Sequence, residues 1–159
     1  MNVLNLVTFI FALLFFFIAS QAGYYFLGYY KVIQEAGTDQ FIMIRRATDS
    51  AIRPALQTLY IAALVTGIIL VVLGRKQAGS ARGIMVSVSV LLLIADIVLA
   101  KSVSETINAA INTSSSDALN AMPDVQKRWL NMLLIRGALS ISGFVIVIAS
   151  LVFTEPGDA

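Results

Sequence analysis

The chain has neither cysteine nor histidine in its 159 residues. Without cysteine there is no disulfide framework, no thiolate metal site and no cysteine nucleophile. Without histidine the commonest general base, the commonest metal ligand and the usual proximal haem ligand are missing. No metal and no cofactor is therefore expected. Charge is also scarce. Asp, Glu, Lys and Arg make up 13% of the chain, against about 25% in soluble globular proteins. A net charge of +2 falls far short of a nucleic-acid footprint. The sequence contains no dinucleotide-binding GxGxxG, P-loop, HExxH or nucleophile elbow.

What fills the chain instead is apolar. Hydrophobic residues account for 58% and the mean hydropathy is +0.87, which excludes disorder and disfavours a water-soluble monomer. The length suits one domain. Four stretches approach the roughly 20 apolar residues that span a bilayer: 3–20 (VLNLVTFIFALLFFFIAS), 55–73 (ALQTLYIAALVTGIILVVL), 83–100 (GIMVSVSVLLLIADIVLA) and 137–153 (GALSISGFVIVIASLVF). The first lacks the basic flank of a signal peptide and reads as a membrane helix.

The connections between these stretches are unequal. Only RKQAGSAR, residues 75–82, joins the second to the third, whereas about 34 and about 36 residues separate the other pairs. Loops that long without structure are uncommon, and their composition is helical. Phe41, Ile44, Ala47, Ala51 and Ala55 recur at helical spacing, with Thr38 or Asp39 placed to cap the start. SVSETINAAIN and DVQKRWLNMLLIR also read as helices. Break signals fall at 36–38 and 113–123. The expectation is a single all-α domain: an antiparallel up-down bundle of four transmembrane helices, roughly 3–34, 39–74, 83–112 and 122–153. At 1.5 Å per residue, about 30 residues make a rod of about 45 Å, longer than the roughly 30 Å hydrocarbon layer. The excess lies at one end of all four helices, so a polar four-helix crown should project from one side of the membrane. Pro54 marks the join on the second helix, where it is expected to kink that helix or, as the alternative, to be the first residue of a separate membrane helix. Three basic residues in RKQAGSAR favour a cytoplasmic short turn and cytoplasmic termini, as in a bacterial inner-membrane protein. The crown's own Lys31, Arg45, Arg46, Arg53, Lys101, Lys127 and Arg128 count against that orientation.

Ionisable groups within a membrane helix are costly unless paired or hydrated, so Asp96 and Arg136 stand out. A hairpin of helices three and four turning near residue 116 levels positions whose numbers sum to about 232, and 96 and 136 satisfy this. Glu105 is then level with Lys127 and Arg128. It cannot share a face with Asp96, because nine residues of a straight helix turn about 180°. The pair reads either as a structural pin or as a functional centre. Gln21, Arg53, Gln57, Asp96, Lys101 and Arg136 lie at similar depth. They mark either an ordinary interface boundary or a vestibule for a lipophilic ligand with a polar head. Tyr24, Tyr25, Tyr29 and Tyr30 read as an interfacial belt or, with Tyr24 as a ligand contact, a stacking platform. Ala63 and Gly67 form a small-xxx-small pair that permits close helix approach. Asn112-Thr113-Ser114 matches a glycosylation sequon.

INAAIN (107–112) followed by RWLNMLLIR (128–136) resembles the small four-helix membrane family named for the anthrone oxygenases. That family carries P-x-N…N before a W-x3-[HN]-x2-R signature. Trp129 and Arg136 match the signature, and Asn108 is similar to the earlier Asn. Leu133 stands where the family has a polar residue, and Ile107 where it has proline. The resemblance implies a four-helix membrane fold and, carried further, cofactor-free oxidation of a polycyclic phenol by Arg136, Asp96, Trp129 and Asn108. Three functions follow as expectations. The first is a non-catalytic accessory, scaffold or lipophilic-ligand-binding membrane subunit, with lipid and a homo-oligomer or larger complex as partners. The second is such an oxygenase, and the third a small transporter.

Overall fold

In the computed structural model, which describes residues 3–113 and 122–152, four long helices form the expected all-α bundle. They are α1 (Val3–Glu35), α2 (Thr38–Leu73), α3 (Ala81–Thr113) and α4 (Met122–Val152). All four are long and apolar enough to cross a membrane. With 30 to 40 residues per candidate span, each rod overshoots the hydrocarbon layer by many ångströms. The inferred break at residue 116 and Ser114 of the sequon lie outside the described residues.

Local chemistry sets the helix ends. Ser80 precedes α3 in extended conformation, and its hydroxyl accepts from the Gly83 N–H at 3.1 Å, a side-chain cap. At the start of α2, neither Thr38 nor Asp39 caps. Gly37 holds the cap position without a side chain, and Asp39 lies in the first turn, where a negative charge complements the helix dipole. Within the apolar runs, Thr8, Thr66, Ser87, Ser89, Ser140 and Ser150 donate their hydroxyls to carbonyls three or four residues back. Each of these bonds satisfies a hydroxyl where no water is at hand to do so.

Two separate cores hold the rods together. The membrane core gathers Phe11, Phe15, Ile18, Ala63, Leu70, Leu93 and Val147. Ala63 and Gly67 are both buried here, and a Cβ on Gly67 would lie 3.0 Å from the Phe11 ring. The crown core gathers Tyr25, Ile33, Phe41, Ile111, Trp129 and Leu130. Gln126 ties α4 to the end of α1 by donating to the Ile33 carbonyl at 2.6 Å, and Arg46 ties α2 to α3 through the Ile111 carbonyl at 3.0 Å. The segments beyond the apolar runs are thus packed helix, as the sequence suggested. At the opposite end, Arg82 is buried rather than part of an exposed basic turn. It donates to the Thr8 hydroxyl at 3.2 Å.

Two π-helical turns interrupt the rods, at Tyr25–Tyr29 in α1 and Ala100–Ser104 in α3. The first contains Gly28 at φ 149°, backbone that disfavours any side chain. The second lies between Asp96 and Glu105, and its extra residue shifts all that follows by about 100°. Glu105 still does not share the buried face of Asp96: its side chain is 45% exposed and lines the cavity edge beside Lys101. Helix α2 runs unbroken through Pro54, yet none of residues 46–62 is buried. The helix packs at both ends and stands off in the middle. Pro54 lies at the centre of that stand-off, where it removes the bond to the Ser50 carbonyl.

Close approach of α1 and α4 depends on Gly143, where a Cβ would meet the Phe15 ring at 2.4 Å. Gly143→Ala is expected to lower stability by about 1–3 kcal/mol, read as a lower thermal midpoint in detergent. Gly23→Ala, with open space around it, should leave the midpoint unchanged or raise it.

Candidate ligand cavity beneath the crown

Asp96 is only 1% exposed, and an isolated carboxylate there would be prohibitively costly. Arg136 Nε donates to its Oδ1 at 2.6 Å, the Tyr60 hydroxyl donates to Oδ2, and Arg136 Nη2 closes the triangle on the Tyr60 oxygen at 3.1 Å. The height argument from the sequence therefore places the pair correctly. It did not include Tyr60, the third member. Tyr60 belongs to a stripe on α2, Arg45-Asp49-Arg53-Gln57 continuing into Tyr60 and Leu64, whose steps of three or four residues were the available signal.

Above this triad the stand-off of α2 leaves a cavity of about 450 Å³, within the roughly 300–1,000 Å³ of small-molecule sites. Its lower wall is Tyr60, Leu64, Ile97, Leu133 and Arg136; its inner wall is Gln21, Tyr25, Arg45, Asn108 and Trp129. The exposed lining residues, Ile52, Arg53, Gln57, Ile61 and Lys101, belong to α2 and α3, so the mouth lies between these two helices. A smaller void of about 30 Å³ adjoins it, bounded by Gln21, Asp96, Arg136 and Ser140.

Most of the sequence candidates converge here. Gln21, Arg53, Gln57, Asn108, Trp129 and Arg136 line the cavity, while Asp96 borders the adjoining void. Tyr24 does not reach it. Tyr24 is exposed, and the neighbouring Tyr25, about 100° further round the helix, takes the inward position. Tyr25 and Trp129 meet edge to face with centroids 5.9 Å apart, and Phe41 backs Trp129 at 5.8 Å. Part of the tyrosine cluster thus forms an inner aromatic wall rather than a surface belt. Glu105 pairs with Lys101 at 2.9 Å instead of with α4.

The wall is electropositive. Arg45, Arg53, Lys101 and Arg136 outnumber Asp49 and Glu105 in its lining, and Asp96 is already engaged by Arg136. Arg45 lies with its guanidinium carbon 4.4 Å from the centre of the Trp129 ring, a cation–π contact inside the protein. No group of three or more metal-ligating side chains occurs among the described residues. No family model, curated protein or solved structure matches the chain, so the cavity is read from its own chemistry.

Breaking the triad on one side should be severe. Asp96→Ala strands a buried guanidinium and is expected to cost about 3–5 kcal/mol, measured by thermal or denaturant unfolding in detergent. Replacing the whole triad with apolar groups of similar volume (Asp96→Leu, Tyr60→Phe, Arg136→Met) should cost far less.

Proposed function

We propose that this multi-pass membrane protein is a non-catalytic binding subunit that takes a lipophilic molecule with a polar head into the cavity beneath its crown. The single observation that carries this reading is the cavity itself. It opens sideways between α2 and α3 and combines an aliphatic floor with a charged and aromatic inner wall. Ile52, Leu56, Ile61, Leu64 and Ile97 suit a hydrocarbon body, while Arg45, Gln57 and Asn108 supply polar contacts. A mouth where the apolar spans give way to the crown suits entry from the lipid phase. The charge of the short turn supports a bacterial inner membrane with cytoplasmic termini, which would place the crown outside the cytoplasm.

A second reading has its own support. The cavity reaches Arg136, Trp129 and Asn108 together, the residues that resemble the anthrone oxygenase signature. In that case the cavity would hold a polycyclic phenol, and dioxygen would be the oxidant. Oxygen uptake with such a phenol, abolished in Arg136→Gln while the fold is retained, would support this reading over simple binding.

The binding reading predicts saturable quenching of Trp129, the sole tryptophan, by a brominated long-chain probe in neutral detergent, with one site per chain. Ala100→Phe, which fills the cavity mouth, should weaken that binding about tenfold or more, the loss expected when a bulky group occupies a pocket of this size. Quenching that only rises linearly with probe fraction, and equally in Ala100→Phe, would contradict the proposal.

A further inference from the structure

We infer that the cavity selects lipophilic anions, carboxylates or phenolates, and that Arg45 seats the anionic head. This rests on the ligand-binding reading above and adds the sign of the ligand's charge. Arg45 is 8% exposed, projects from the crown half of α2 and lines the cavity. Its Nε is a buried donor with no hydrogen-bond partner, a costly state for a charged group.

The neighbouring charges do not make up the deficit. Arg45 Nη2 donates to Asn108 Oδ1 at 3.3 Å and lies 3.8 Å from Asp49 Oδ1. Asp49 also faces Arg53 Nε at 3.3 Å and accepts from Asn112 Nδ2 at 3.4 Å. One carboxylate therefore serves two guanidinium groups. The other two cations of the wall have their own partners, Arg136 with Asp96 and Lys101 with Glu105. The unbalanced positive charge is thus concentrated at Arg45, the most buried of the four cations that line the cavity. An anion arriving there gains a charge-assisted hydrogen bond from the guanidinium and offsets its unbalanced charge. Trp129 packs against the guanidinium at 4.4 Å and helps to hold it in place at the cavity wall. A cationic head would meet the same excess charge as repulsion, and a neutral head would gain only an ordinary hydrogen bond.

The test uses the full chain in a neutral detergent and three probes with one alkyl chain: a long-chain carboxylate, its alcohol and its trimethylammonium analogue. Each is titrated against Trp129 fluorescence. The carboxylate is expected to bind about tenfold or more tighter than the alcohol, with the ammonium weakest. Arg45→Gln should erase that preference. The order of head groups in the unsubstituted chain decides the matter even where Arg45→Gln fails to fold. Equal binding of carboxylate and alcohol, or preference for the ammonium, overturns the inference while leaving the cavity a lipophile site. Absence of saturable binding by any probe overturns the ligand-binding reading as well.

Discussion

A carboxylate buried at the junction of two hydrophobic cores is the constraint around which this molecule is arranged. Asp96 lies between a membrane core and a crown core, and at that depth it must be fully engaged. Arg136 and Tyr60 engage it, which fixes the register of α4 and α2 against α3 at one height. The triad therefore acts as a pin, and it has a second consequence. A polar layer cannot be packed as tightly with hydrocarbon as the levels above and below, so the bundle has a natural place to open.

The opening arises from backbone features rather than from any single side chain. Helix α2 packs through Phe41, Ile42 and Arg45 at one end and Ala63, Gly67 and Leu70 at the other. Between these contacts, where Pro54 interrupts the hydrogen-bond ladder, it leaves the bundle unfilled. Glu105 and Asn108 follow the π-helical turn of α3 and line that space together with Tyr25, which opens the π-helical turn of α1. Two irregular turns and one proline, all at the same level, are a costly combination to retain in helices that otherwise run regularly.

Much of this was legible in the residues. Hydropathy gave the spans, and the unequal connections gave the helical crown, because long polar segments rich in alternating apolar residues cannot remain structureless in a chain this size. The Asp96–Arg136 pairing followed from antiparallel counting alone. What stayed hidden depended on helix phase. A straight helix turns Glu105 away from Asp96; the extra residue at Ala100–Ser104 narrows that angle, and Glu105 reaches the cavity edge as the half-exposed partner of Lys101. In the same way, Tyr24 and Tyr25 are indistinguishable by composition, and the one facing inward is set by packing on Trp129. Arg45 looked like one crown charge among many. Its isolation depends on how Asp49 is shared, which no sequence spacing reveals.

The absence of native cysteine makes the central claim directly measurable. Single cysteines placed at Leu133, on the cavity wall, and at Val147, in the membrane core, can be compared for their rate of modification by a small thiol reagent in detergent. An open cavity beneath the crown predicts fast modification at Leu133→Cys and protection at Val147→Cys. Equal protection at both positions would mean that α2 closes onto the bundle and that no such cavity exists.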